Sequence, residues 1–283
     1  MLGMPSIAER GVPVSPRDAP LSYPGTVPPH SYLWMDSWMY QLSCQPGMQQ
    51  MQWRLLVDGG PLAVRTAGSD EPVERLDGAL QAAGVAAVAG RYPVLAYGSN
   101  AAPAQLLDKF GRLEPRERVL PVTTGHVEGF ALAHSAHISN PGYLPYVLVD
   151  GGAGAVLEVR VLWLDEAQLA ALNETEPNYT LVPVNGARYP LTLESGVPVP
   201  RYSAYRGKWG ALHLPAQHGP VRAGSQQDVH AELAGQGWFA ELFSRVSVQE
   251  QVDLLRADKA LRDRVRDELG ARGMAVMDGW IDG

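Results

Sequence analysis

The chain has 283 residues, 46% hydrophobic and 19% charged, with a net charge of −7, a balance that suits a water-soluble globular protein with a sizeable core. The acidic balance argues against a general nucleic-acid binder or a protein held on anionic membranes, since both need clustered Lys and Arg. A single cysteine, Cys44, excludes an intramolecular disulfide framework and a cysteine-rich zinc site.

Residues 1–29 are rich in proline and small polar residues without an apolar period, and are expected to form an extended or disordered arm. The opening "MLGMPSIAERGVPVSPRDAP" has neither the basic start nor the apolar segment of a secretory signal. No apolar run approaches the roughly 18 residues that span a bilayer, so a cytoplasmic location is expected. Residues 30–90 are expected to form a strand-and-helix extension. "HSYLWMDSWMYQLSCQPGMQQMQWRLLVDGGPLAVR" predicts a few strands with a turn at Asp58-Gly59-Gly60, its Trp, Met and Tyr residues packing a core. Cys44, in this strand-like context, is expected to be buried rather than nucleophilic. The Ala-rich "EPVERLDGALQAAGVAAVAG" predicts a helix ending near Gly90.

"YPVLAY" is short and continuously apolar, which suits a strand buried on both faces. It runs into Tyr97-Gly98-Ser99-Asn100, and "NAAPAQLLDKF" then has helix character. Gly98 and Asn100 tolerate positive φ, Asn100 is a good N-cap, Pro103 is acceptable in the first turn and Gly111 ends the helix. Successive N–H groups in such a turn converge into an anion-binding nest, reinforced by the helix N-terminus. A carboxylate or phosphate seat is one use of this geometry; a plain strand-to-helix connection is the other. Ser99 is not a nucleophile elbow, because its neighbours two residues away are Tyr97 and Ala101 rather than glycines. The nucleotide-binding P-loop and dinucleotide fingerprints do not fit either.

"RERVLPVTTGHVEGFALAHSAHIS" alternates as strands do, and "LPYVLVDGGAGAVLEVRVLWL" reads as two strands joined through a glycine-rich turn. His134 and His137, three apart on a strand, point to opposite faces and make a poor chelating pair. "LDEAQLAALNETEPNY" changes to a helical period, with Asp165 and Gln168 spaced as a capping box. Pro177 stops that helix, leaving Glu174 and Glu176 at its C-terminal end. There the helix dipole presents negative partial charge, and partial burial adds to it, favouring the protonated acid that general acid–base chemistry uses. Solvated surface acids are the alternative. "YTLVPV", "RYPLTL" and "RYSAYRGKW" read as further strands, and the chain from about Gly224 reads as helices. Strands and helices do not alternate regularly, which favours an α+β fold with a small closed or strongly curved sheet.

Together, "YGSN" and "LAALNETE" followed by Tyr179 resemble the gamma-glutamylcyclotransferase-like family, over about residues 92–207. "GHVEGFALAH" and "GAVLEVRVLWL" resemble the strands between its two motifs. The resemblance implies a small mixed β-barrel flanked by helices, spanning 91–215, with a helical segment over 216–283. It implies that Tyr97, Gly98, Ser99 and Asn100 bind the α-carboxylate end of a γ-glutamyl group and that Glu176 is the acid/base. Glu174 stands at a dispensable position, and Tyr179 and Tyr205 match tyrosines near the pocket. The implied reaction is transferase- or lyase-type cleavage of a γ-glutamyl amide or peptide to 5-oxoproline and an amine, with no metal, cofactor or covalent intermediate. Hydrolysis, acyl transfer or lyase chemistry on the same scaffold, and non-catalytic binding of a small anion, are the alternatives. The sequence departs from the family in Ala101, commonly a larger apolar residue, in the ninety residues before the turn and in a longer tail. Three uses are open for these additions: covering the mouth of the pocket, forming a homodimer or docking a partner.

Overall fold

The fold is taken from a computed structural model that describes residues 14–35, 38–56, 75–215, 217–243 and 246–280. Strands and helices are numbered in chain order. The extension supplies β1 (Tyr32–Met35), β2 (Trp38–Ser43) and β3 (Arg54–Leu56); the turn expected at residues 58–60 lies outside the described residues. The Ala-rich segment forms a shorter helix than expected, α1 (Leu76–Ala82). Gly84 takes a φ of +70°, which ends the helix, and only a single 3-10 turn, Val88–Gly90, follows.

The middle of the chain gives β4 (Tyr92–Ala96), α2 (Pro103–Phe110), β5 (Val119–Glu128), β6 (Phe130–His134), β7 (Tyr146–Asp150), β8 (Val156–Leu164) and α3 (Glu166–Glu174). Strands β9 (Tyr179–Pro183), β10 (Leu191–Leu193), β11 (Ser203–Gly207) and β12 (Ala211–Leu212) follow. Helices α4 (Gln226–Ala234), α5 (Gly237–Phe243), α6 (Val248–Ala257) and α7 (Lys259–Ala271), then β13 (Ala275–Val276), complete the described chain.

The main sheet runs β3-β2-β1-β5-β8-β4-β11-β9, with β10 also paired to β5. Only β4 and β11 are parallel neighbours; the other ladders are antiparallel. The sheet is mixed, as expected, but open: its order ends at β3 and β9, which no ladder joins among the described residues. The expected closed barrel is therefore not formed by main-chain pairing. One edge of β5 is shared, with β1 paired to Val119–Val122 and β10 to Gly125–Val127.

Side chains alternate across this sheet with period two. Leu95, Val161 and Trp163 face one apolar cluster with Leu33, Trp53 and Leu80. Val94, Ala96, Leu162 and Leu164 face the other, with Tyr32, Trp34, Leu106, Phe110 and Leu172. Strand β1 thus contributes to both clusters, and Trp34 and Trp53 pack the core as expected, at 1% and 0% exposure. Helices α2 and α3 cover the second face. The C-terminal helices close a third cluster around Ile138, Leu144, Phe239, Leu255 and Leu269, beside the β6–β7 hairpin.

Two buried polar residues fix α3 against the sheet. Gln168, fully buried, completes the capping box with Asp165 and donates to Glu117 O at 2.8 Å and Val119 O at 3.0 Å. Arg91 donates to Trp163 O at 3.0 Å, Val119 O at 3.2 Å and Gln168 Oε1 at 3.2 Å. Buried carbonyls accept from the guanidinium there, although Arg91 Nη2 is buried without a partner among the described residues, and the start of α3 is pinned beside the start of β4.

The expected arm is described from residue 14, and this part is docked rather than free. Ser15 Oγ donates to Asp108 Oδ2 on α2 at 2.7 Å, Arg160 donates to Pro28 O at 2.8 Å, and Tyr23 is 6% exposed.

Candidate functional site

Strand β4 ends at Ala96 and delivers Tyr97-Gly98-Ser99-Asn100 to a cavity of about 870 Å³ between α2, the end of α3 and the loop before β7. Ser99–Ala101 form a single 3-10 turn before α2. The N–H groups of Ser99 and Asn100 have no main-chain acceptor among the described residues, which leaves two donors at the turn. Tyr32 on β1 donates to Ala101 O at 2.6 Å. Ala101 itself is 2% exposed among β1 and α2 side chains, a site already filled by the aromatic residues of the extension.

Two expectations about the turn need correction. Gly98 has φ −128° and ψ −142°, outside the left-handed region. A Cβ there would lie 2.5 Å from the Tyr23 hydroxyl, so close approach, not backbone twist, requires the glycine. Asn100 is not the N-cap of α2. That position is Ala102, which has no side-chain cap, and Pro103 opens the helix. The Asn100 side chain instead crosses the cavity wall and donates from Nδ2 to Glu176 Oε1 at 2.9 Å. Its Oδ1 is buried without a partner.

Glu176 follows the last turn of α3, with Thr175 as C-cap and Glu176 N bonded to Asn173 O at 3.2 Å. Its side chain is 12% exposed and lines the cavity. From its sequence position this acid meets negative partial charge with partial burial. The structure adds Lys109, whose ammonium, 8% exposed, donates to the same Oε1. Glu174 is exposed at the rim and makes no ion pair among the described residues.

The three tyrosines drawn into the site by resemblance all line the cavity, but each hydroxyl proton is already committed. Tyr97 donates to Tyr205 O, Tyr179 to Tyr146 O at 2.9 Å and Tyr205 to Asn173 Oδ1 at 2.8 Å. They build the wall and offer only oxygen lone pairs. Burial holds the Tyr97, Tyr179 and Tyr205 phenols above their ordinary range, with Glu176 adding to it for Tyr97 and Tyr205. All three stay neutral near pH 7.

Sequence reasoning missed Lys109, Tyr23, Tyr143, Tyr146 and His137. Tyr23 stacks on Tyr143 with ring centres 4.3 Å apart and meets Tyr146 edge-on at 4.9 Å. Burial and the neighbouring Glu176 push Tyr143 to about 12. His137 also lines the cavity, with Nδ1 2.6 Å from Ser135 Oγ and Nε2 buried without a partner. Burial, then the Arg266 charge, pulls its pKa down to about 3, which keeps it neutral. The one available signal was the polar side of α2 and the turn after it: Gln105, Asp108 and Lys109 on the helix and Arg112 just past it recur at helical spacing and all line the cavity.

His134 serves the fold. Nε2 accepts from Gly224 N at 3.2 Å, which leaves Nδ1 to donate to Leu144 O at 3.2 Å. Cys44 is partly buried, and burial followed by Glu194 pushes its thiol to about 11, away from nucleophilic character.

No family model matches the chain, and no curated protein matches it. Solved structures similar to it include an Arabidopsis thaliana protein at 19% identity, covering 53% of this chain and 81% of that one, with a TM-score of 0.30. A second Arabidopsis thaliana protein is 17% identical, with 54% and 89% covered and a TM-score of 0.33. A gamma-glutamyl cyclotransferase is 12% identical, with 59% and 99% covered and a TM-score of 0.34. Likenesses at this level say what the chain is similar to and nothing about its activity. No described helix is long and apolar enough to cross a membrane.

Proposed function

We propose that the protein cleaves a γ-glutamyl amide or peptide by intramolecular cyclisation, releasing 5-oxoproline and a free amine. The observation that carries this reading is the Asn100–Glu176 hydrogen bond, which joins the donor-rich turn to a single acid inside one cavity. The turn's N–H groups hold the α-carboxylate, and Asn100 Oδ1 and Glu176 face the α-ammonium beside it.

Glu176 takes a proton from the α-ammonium. The freed nitrogen attacks the γ-carbonyl carbon, the new N–C bond closes a five-membered ring, and the carbonyl electrons move to oxygen. As they return, the bond to the departing nitrogen breaks and Glu176 delivers its proton there. The ring nitrogen sheds its second extra proton, and the expelled amine takes one up from water. Attack within one molecule lets a fixed, folded substrate conformer supply much of the acceleration. Lys109 holds the carboxylate at the cavity wall and yields to the substrate's ammonium.

The test is a panel of γ-glutamyl amines and dipeptides with 5-oxoproline as the readout, comparing wild type with Glu176→Gln. A product that appears with wild type and falls roughly 10²–10⁴-fold in the variant supports the reading. Free glutamate as the product would move the assignment to a hydrolase on the same residues.

A further inference from the structure

We infer that Tyr23, carried on the N-terminal arm, is a substrate-contacting residue: its hydroxyl donates a hydrogen bond to an anionic oxygen seated on the Gly98–Asn100 turn. This rests on the reading of that turn as an anion cradle.

The hydroxyl sits on the turn's main chain, 2.5 Å from the position a Cβ on Gly98 would take. It accepts from Tyr146 N at 2.9 Å, which fixes its oxygen and leaves its own proton without an acceptor among the described residues. The contrast with the surrounding tyrosines is the point. Tyr97, Tyr146, Tyr179 and Tyr205 each spend the phenolic proton on a protein acceptor; of the cavity tyrosines, Tyr143, beside Ser99 and Ser139, shares with Tyr23 the lack of a main-chain or carboxylate acceptor among the described residues. Tyr23 is 6% exposed and lines the cavity, so its donor has no protein acceptor among the described residues and is available to whatever fills the cavity, ligand or water. The ring is held by the stack on Tyr143 and the edge contact with Tyr146, and the arm by Ser15 on Asp108. Burial, with Tyr143 next, keeps the phenol protonated, so it remains a donor at every working pH.

The ligand class is a carboxylate or the oxyanion of a tetrahedral intermediate, because each presents a negative oxygen to the same donors. Site and arm are then one unit: the extension supplies a donor that the turn cannot make from its own main chain.

Calorimetric titration with 5-oxoproline and with L-glutamate tests this without turnover. Tyr23→Phe keeps the ring stack, unfolds cooperatively, and is expected to bind both probes about tenfold more weakly, the worth of one hydrogen bond to a charged group. Equal affinity overturns the inference, as does wild-type protein that binds neither probe. If Tyr23→Phe does not fold, Gly98→Ala displaces the hydroxyl instead and is expected to weaken the probes at least as much; unchanged affinity there overturns the inference too. Turnover measured alongside separates the two claims. Wild-type protein that binds the probes yet releases no 5-oxoproline defeats the cyclisation reading alone. Turnover lost in Glu176→Gln, with probe affinity unchanged in Tyr23→Phe, defeats this inference alone.

Discussion

Lys109, Asn100 and Glu176 form a nearly dry triad in which two donors converge on one carboxylate oxygen. A buried ion pair is weak evidence of net stability, but removing one member leaves the other charge stranded. Lys109→Met is therefore expected to cost about 3–5 kcal/mol, read as a lowered denaturant midpoint at unchanged slope. A cost near zero would mean the pair is solvated. Glu176→Gln retains an oxygen that can accept from Asn100 and Lys109 but leaves the Lys109 ammonium without its counter-charge, so it should lower the denaturant midpoint as well as lose turnover, and its turnover is to be read where both proteins are folded. Of this triad, Pro177 and the helix period marked Glu174 and Glu176 together as acids at the end of α3, and only the family resemblance singled out Glu176. Asn100 was legible as a site residue but for another reason, since its partner lies 76 positions away. Lys109 was one polar residue among several on α2, and only the packing of α2 beside α3 distinguishes it.

At the scale of elements, the capping box of α3 is a short-range device that sequence spacing specifies fully, and the helix starts where Asp165 and Gln168 place it. Gln168 does more than cap: its amide also bonds two β5-side carbonyls and Arg91. Gln168→Ala should lower stability by about 1–3 kcal/mol, because buried groups lose partners that water cannot replace; urea titration reads this directly, and a neutral result would refute it. The strands from β4 to β11 were legible from alternation and glycine-rich turns. The pairing of β1 with β5 was not, because period two shows which face a residue takes and nothing about which edge it joins. The Tyr23–Gly98 contact belongs to this scale as well. Gly98→Ala should lower the thermal midpoint strongly beside Tyr23 and far less beside Phe at position 23, where the interfering oxygen is gone. Strictly additive losses would show that arm and turn do not touch.

For the whole molecule, the N-terminal extension pairs with one edge of β5 and enters both faces of the core, and no ladder joins the two ends of the sheet among the described residues. Three buried histidines set its acid sensitivity. Burial lowers His134 and His230 to about 4 and His137 to about 3. Unfolded, each titrates near 6.5, so between 6.5 and 4 the unfolded chain binds protons that the folded chain refuses. Stability is thus full above about pH 6.5 and falls as pH drops, by up to roughly 2 kcal/mol per histidine at pH 5. Denaturant midpoints at pH 7 and pH 5 should differ accordingly, and equal midpoints would contradict the burial of these rings.

The pairing of turn and acid is tested most directly by the fate of a γ-glutamyl dipeptide in oxygen-18-labelled water, followed by mass spectrometry. Wild-type protein is predicted to release 5-oxoproline with no label and an equal amount of free amine, while Glu176→Gln releases neither above background. Labelled glutamate from wild type, or undiminished 5-oxoproline from Glu176→Gln, would contradict the account.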